Sequence, residues 1–256
     1  MNAPDTNHFY FNGAHYDALT QIEDIPFWIH QAQTYGDPIL ELAVGTGRIA
    51  IPLAKEGFKV TGIDMSDSML EQAQKKLFAA QVSVNLIKAD MRDFHLDTKF
   101  PLIIIPSNSI VHLQALEDLE ACLACVKKHL TPNGTLIIDT HNPQFKYLNS
   151  DPNKPPSTRT CPNPNGEGTI TVSSRFLYHG EQQINTITMA HQLPDGTEEI
   201  TDVIHARLHF PQELNALMKY NGFTVENKMG DYNKEKFHSQ SSKQILVLRA
   251  TPNPAT

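Results

Sequence analysis

Ile39-Leu40-Glu41-Leu42-Ala43-Val44-Gly45-Thr46-Gly47 decides the fold of this 256-residue chain. A short apolar run carries one acid, Glu41, and breaks at a glycine turn, after which Arg48-Ile49-Ala50 opens a helical pattern. Lacking a Cβ, Gly45 and Gly47 permit a sharp turn and close approach of the backbone to a ligand. The helix beyond aims its free N–H groups and positive dipole end at the turn. Strand, turn and helix together predict a binding place for a nucleotide-like cofactor. Read as Gly45-x-Gly47-x-x-Ala50, with Asp64 seventeen residues past Gly47, the turn also satisfies the dinucleotide pattern. Glu41 argues against NAD, because the first strand of a dehydrogenase sheet is normally apolar throughout. An acid at this point can accept hydrogen bonds from a cationic ligand or from the loop's own backbone.

S-adenosylmethionine carries a fixed cation and an α-amino group, and the stretches that follow resemble the class I S-adenosylmethionine-dependent methyltransferases. Thr61-Gly62-Ile63-Asp64-Met65-Ser66 is similar to the family's second strand, which implies that Asp64 holds the ribose hydroxyls. Ile87-Lys88-Ala89-Asp90-Met91 is similar to the third, which implies that Asp90 faces the adenine amino group, with Asp93 as the alternative acid. Residues 102–105 with Pro106-Ser107-Asn108-Ser109 are similar to the fourth strand and its substrate-side loop, and Leu130-Thr131-Pro132-Asn133-Gly134 with 135–139 to the turn and fifth strand. Two positions depart from the family: Ala43 stands where its first glycine usually is, and Pro101 where many relatives carry an acid. The resemblance implies S-adenosylmethionine as cofactor, held by Tyr16, Glu41, Ala43, Gly45, Gly47, Arg48, Asp64, Met65, Asp90, Met91 and Ser107. Tyr16 resembles the aromatic that closes over the cofactor's methionine end in small-molecule relatives. Arg48 either meets the cofactor carboxylate or lies along the helix surface, and Glu41 supports the amino group indirectly.

Strand and helix alternate over 38–44, 48–56, 58–64, 67–79, 83–89, 102–106, 117–130 and 134–140, after a helix at 23–35. This predicts an α/β fold with a doubly wound, mostly parallel Rossmann-like sheet. Ligands bind such sheets beyond the strands' carboxyl ends. After His141 the pattern changes. Prolines and glycines punctuate 150–168 as an irregular loop, and three alternating runs follow at 169–179, 183–193 and 197–210. They predict an antiparallel β insertion between the fifth strand and the last helix, 211–222, before a closing strand pair at 223–229 and 243–250. The expected division is an N-terminal cap segment at 1–35, an S-adenosylmethionine-binding core at 36–149 and 211–256, and a Pro-rich loop with the insertion at 150–210. The insertion covers the substrate side, leaving the cofactor site to the main sheet, or makes a subunit contact in a homodimer.

A net charge of −7, without a basic run longer than Lys75-Lys76 or Lys127-Lys128, argues against a nucleic-acid partner. A polar N-terminus and the lack of any apolar run near ~20 residues argue against a membrane, and three cysteines point to a reducing, cytoplasmic setting. Cys122, Cys125 and His129 share one helix face without a fourth ligand, so no metal is expected. Asp139 and Asn142 offer one side of a metal site, and Ile105-Pro106 nothing opposite.

His112 follows the fourth strand, where the family places groups that touch the substrate. A neutral imidazole there accepts a proton from an amine or hydroxyl, or positions it; the alternative is a helix-capping histidine bonded to backbone. His141, after the fifth strand, has a similar claim. The layout resembles bacterial small-molecule methyltransferases, amino-sugar and amino-acid N-methyltransferases among them. It implies in-line transfer of methyl to an amine or hydroxyl of a small-molecule acceptor. The alternatives are an S-adenosylmethionine-binding partner subunit without activity, an NAD-dependent oxidoreductase, and a macromolecular methyltransferase. The last lacks the Asn/Asp-Pro-Pro-aromatic signature after the fourth strand.

Overall fold

The computed structural model describes residues 13–20, 22–144, 148, 155–164 and 166–251. His8, Phe9, Tyr10 and Phe11 of the expected cap lie outside them. Five runs form β1 (Ile39–Leu42), β2 (Val60–Asp64), β3 (Asn85–Lys88), β4 (Phe100–Ile105) and β5 (Leu130–His141). β6 (Ser157–Pro162), β7 (Thr169–His179), β8 (Ile184–Gln192) and β9 (Glu198–Arg207) follow, and β10 (Phe223–Met229) and β11 (Lys243–Ala250) close the chain. The helices are α1 (Gly13–Leu19), α2 (Ile25–Tyr35), α3 (Ala50–Lys55), α4 (Asp67–Ala80), α5 (Leu116–His129) and α6 (Pro211–Tyr220), with a 3₁₀ turn at Ser109–His112.

The main sheet runs β10-β11-β5-β4-β1-β2-β3, parallel from β5 to β3 and antiparallel at β10 and β11. Helices cover both faces of a parallel sheet, so its central strands bury every residue and read as continuous apolar runs. All four residues of β1 are buried, Glu41 included. Ser66 caps α4 by accepting from Met69 N at 3.3 Å. Gly57 stands one residue beyond the cap of α3, which is Glu56, and takes φ +91°. The expected turn at 130–134 is instead absorbed into β5 as a register shift: Phe100 pairs with Leu130, and Leu102 already with Thr135.

The insertion is a second antiparallel sheet, β6-β7-β8-β9. Its first strand arises within the stretch read as irregular. β6 lies at the sheet's edge, where Pro162 at the strand end removes no needed ladder bond. Cys161, Ile170, Val172, Met189 and Ile204 of this sheet bury together with Leu19, and Tyr16 and Ala18 of α1 pack against them. The insertion therefore supports the helix that carries Tyr16, and the cofactor side is not left to the main sheet alone. Among the described residues no helix is long and apolar enough to cross a membrane. His129, on the cysteine face of α5, has both ring nitrogens on backbone, Nε2 accepting from Leu96 N at 3.0 Å and Nδ1 lying 2.7 Å from Cys125 O.

Candidate active site

A cavity of about 400 Å³ opens beyond the carboxyl ends of β1, β2 and β4, within the usual range for small-molecule sites. The glycine turn forms its floor. Gly45 and Gly47 adopt φ +55° and +75°, and Ala43, in place of the family's glycine, is held at φ +55°, at a cost of about 1–2 kcal/mol for a residue with a Cβ. Ala43 and Gly45 line the cavity; Gly47 does not. A Cβ on Gly47 would lie 3.1 Å from the Ile51 side chain, so this glycine serves the turn and its packing on α3.

Asp64, at the end of β2, binds the turn through both oxygens: Gly45 N donates at 2.8 Å and Ser66 N at 2.9 Å. Burial raises its carboxyl above the ordinary value despite those amides. Met65, Met91 and Ser107 also line the cavity, as do Thr46, Ser68 and Lys88, which sequence reasoning missed.

Glu41 is 2 % exposed, lines the cavity, and has one carboxylate oxygen, Oε2, without a hydrogen-bond partner. Burial pushes its pKa up to about 8 against the opposing pull of Arg48 and the Ala50 amide, so it is mainly protonated at pH 7. A buried, half-satisfied acid is costly. An incoming cation would satisfy it, and in this respect the site suits S-adenosylmethionine.

Arg48 does not lie along the helix surface. Its guanidinium grips the fully buried Asp24 with both terminal nitrogens and donates to Ser107 Oγ at 2.6 Å. Asp24 also accepts from Trp28 Nε1 at 2.9 Å. Ser107 in turn donates its backbone N–H to Asp139 at 3.1 Å, and the fully buried Asp139 is held by Tyr232 Oη at 2.5 Å and Lys243 Nζ at 2.8 Å. The acid read as half a metal site thus already has partners on both oxygens within the fold. Asp24, Tyr232 and Lys243 were not identified from sequence. Asp24 precedes Ile25-Pro26 and looks like an ordinary helix cap, yet it makes no side-chain cap bond.

α1 brings Tyr16 to the cavity wall, and burial raises its phenol pKa. The next residue, Asp17, latches the helix to the glycine loop and α4, accepting from Thr46 Oγ1 at 2.6 Å and Lys76 Nζ at 2.9 Å.

Besides Gly47, two expected residues are not brought in, Asp90 and His141. Asp90 does not line the cavity, although Ala89 and Met91 on either side do. Arg92 donates to it from Nε at 2.9 Å and from Nη2 at 2.6 Å, and reaches Asp118 on α5 at 2.8 Å. Burial opposes ionisation of Asp90, but these bonds prevail and hold its carboxyl below the ordinary value. His141 sits exposed at the end of β5, in register with Lys243 and outside the cavity lining. His112, on the 3₁₀ turn, does line it, beside Ser107 and Ser109. Burial lowers its pKa to about 4, so the imidazole is neutral near pH 7. Among the described residues no cluster of His, Cys, Asp or Glu is fit to hold a metal ion.

Residues 39–134 match the family model described as a methyltransferase domain. YqeM of Bacillus subtilis (strain 168), whose methyltransferase name is itself inferred, is 28 % identical over 226 residues, covering 84 % of this chain and 85 % of that one. The dTDP-3-amino-3,4,6-trideoxy-alpha-D-glucopyranose N,N-dimethyltransferase of Streptomyces venezuelae is 29 % identical over 135 residues, 53 % of this chain and 55 % of that one. The CcbJ methyltransferase from Streptomyces caelestis shares the fold at a TM-score of 0.80 and 20 % identity, over 96 % of this chain and 99 % of that one. Domain match, relatives and fold agree with the cavity built on Glu41, Gly45 and Asp64: residues 39–134 form a methyltransferase domain, and the chain is an S-adenosylmethionine-dependent methyltransferase with S-adenosylmethionine as its cofactor.

Proposed function

We propose that this enzyme methylates an amine, or a hydroxyl, of a small molecule by in-line displacement. The observation that carries the reading is one cavity lined by Glu41 and Asp64 at the glycine turn and by the neutral imidazole of His112 at the β4 loop. When bound, S-adenosylmethionine supplies a methyl group already activated on its sulfonium. The chain's own work is alignment, and well-oriented groups reach effective molarities of about 10⁵–10⁸ M. In this reading Asp64 takes the ribose hydroxyls, Arg48 is fixed by Asp24 to meet the carboxylate, and Glu41 balances the amino group. Tyr16 and α1 cover the methionine end and exclude water. His112 accepts a proton from the acceptor or positions it. Asp90 is assigned to the Arg92–Asp118 bridge rather than to the adenine. In the same reading 36–149 and 211–256 hold the cofactor and the insertion covers the acceptor.

An amine is favoured over a hydroxyl because a relative acts, by its name, on an amino sugar. The test is methyl-labelled S-adenosylmethionine with a panel of dTDP-amino sugars, their hydroxyl counterparts, and small amines. Label is expected on nitrogen. Transfer only to protein or nucleic acid, or binding of the cofactor without transfer to any acceptor tried, would overturn the reading in favour of a macromolecular enzyme or an inactive partner subunit.

Glu41 makes cofactor binding proton-linked. Its folded pKa of about 8 lies above the ordinary 4.5, so its contribution to stability is fully present below pH 4.5 and is lost as pH rises through 8. A cation arriving beside it lowers that pKa. Binding near pH 7 should then release up to about one proton, and affinity should rise with pH until it levels off near 8. Calorimetry in two buffers of different ionisation enthalpy reads the release. Glu41→Gln should abolish it and flatten the pH dependence of stability; equal proton release from the variant would refute the assignment.

A further inference from the structure

The two carbonyls that bracket His112, those of Ile110 and Gln114, are both met by one short segment that leaves the insertion. Arg207, the last residue of β9, donates from Nη1 to Gln114 O at 2.7 Å. Two residues on, His209 Nε2 lies 3.5 Å from Ile110 O. The link is reciprocal, since Gln114 Nε2 donates to His205 O at 3.2 Å. Apolar packing supports it: Ala206 of β9 is buried in one cluster with Ile110, Val111 and Leu113. The segment itself is anchored to the core. Arg207 Nη2 pairs with Glu213 of α6 at 2.9 Å, Glu213 accepts from Phe210 N at 3.3 Å, and Gln244 of β11 donates to His209 O at 2.7 Å.

A planar guanidinium can hold a carbonyl and a carboxylate at once with fixed geometry, which a lysine ammonium cannot reproduce. The Arg207 side chain is only 12 % exposed. Its placement commits a half-buried cation to one turn of main chain, although that turn is short and already has its own bonds, Val111 N to Asn108 O at 2.9 Å and Leu113 N to Ile110 O at 3.1 Å. Such a turn, a single 3₁₀ piece between β4 and α5, has little intrinsic stability, so an external clamp determines where its side chains sit.

We infer that Arg207 is a positioning residue of the acceptor side: it clamps the turn that carries His112 to the antiparallel sheet, so that the sheet sets where the imidazole stands. The inference rests on the reading that His112 faces the acceptor. It makes the insertion part of the site's alignment as well as its cover, because displacement of β9 moves His112 with it. Arg207 does not touch the reacting groups and acts only through the turn.

Amide hydrogen exchange on the full chain tests this directly. In Arg207→Ala the amides of Val111 and Leu113 should exchange at least about tenfold faster, the loss of a charged hydrogen bond being worth a decade or more. Exchange in β1 should be unchanged, and affinity for S-adenosylmethionine should stay within about twofold. Arg207→Lys, which keeps one donor but not the fork, should accelerate the same amides by only about threefold, and it stands as the test should the alanine variant not fold. Unchanged exchange over 109–114, or equal acceleration in β1, overturns the inference. Local acceleration with cofactor affinity retained supports it even if His112→Gln leaves turnover intact, a result that would overturn only the acceptor-side reading.

Discussion

Asp64→Ala is expected to lower affinity for S-adenosylmethionine by at least about a hundredfold. The expectation follows from the proposed role of Asp64: two ribose hydroxyls on its carboxylate would make two charge-assisted hydrogen bonds, each worth about 1.5–3 kcal/mol, and 1.4 kcal/mol is one decade. The same carboxylate holds Gly45 N and Ser66 N, so its removal also loosens the glycine turn, and the full effect exceeds the loss of the ligand bonds. Asp64→Asn separates the two contributions. Its amide oxygen can still accept one backbone N–H, and it keeps the residue's size while losing the charge. Calorimetry with S-adenosylmethionine is the measurement. An unperturbed affinity in Asp64→Ala would sink the assignment, as would wild-type protein that binds NAD more tightly than S-adenosylmethionine.

His112→Gln should reduce kcat by about 10²–10⁴-fold if the imidazole acts as a general base. The position of its limb in the pH profile follows from burial. A histidine at its ordinary pKa of 6.5 would place the limb near pH 6–7, but burial lowers His112 to about 4. The base is therefore active above about pH 4, and its acid limb lies there. Profiles of wild type and His112→Gln with the acceptor identified by the labelling panel decide the matter. A purely positioning role predicts a smaller loss concentrated in the acceptor KM. Wild-type kcat and KM in the variant would return His112 to a capping role.

The legible parts of this protein are those encoded by neighbours in the chain. The turn at Gly45 and Gly47 is readable because a positive φ favours glycine, and the cap at Ser66 because a hydroxyl one residue before a helix meets amides within the same turn. Alternating apolar runs around Pro194-Asp195-Gly196 announce a hairpin for the same reason, with Gly196 at φ +86°. The sequence by itself thus determined the Rossmann-like sheet, the glycine turn with Asp64 at the end of the next strand, and the existence of the antiparallel insertion. Tertiary structure alone decided which polar groups meet. Arg48 finds Asp24 24 residues back and Ser107 59 residues ahead, and Asp139 finds Tyr232 and Lys243 93 and 104 residues on. Spacing along the chain carries no trace of such pairs. Asp90 shows the limit locally: its position suits an adenine contact, but Arg92 two residues away, steadied by Asp118 on α5, holds the carboxylate. Glu41 shows it for charge, because an acid's protonation depends on how much water its neighbours exclude, and burial in the central strand of a covered sheet raises its pKa to about 8.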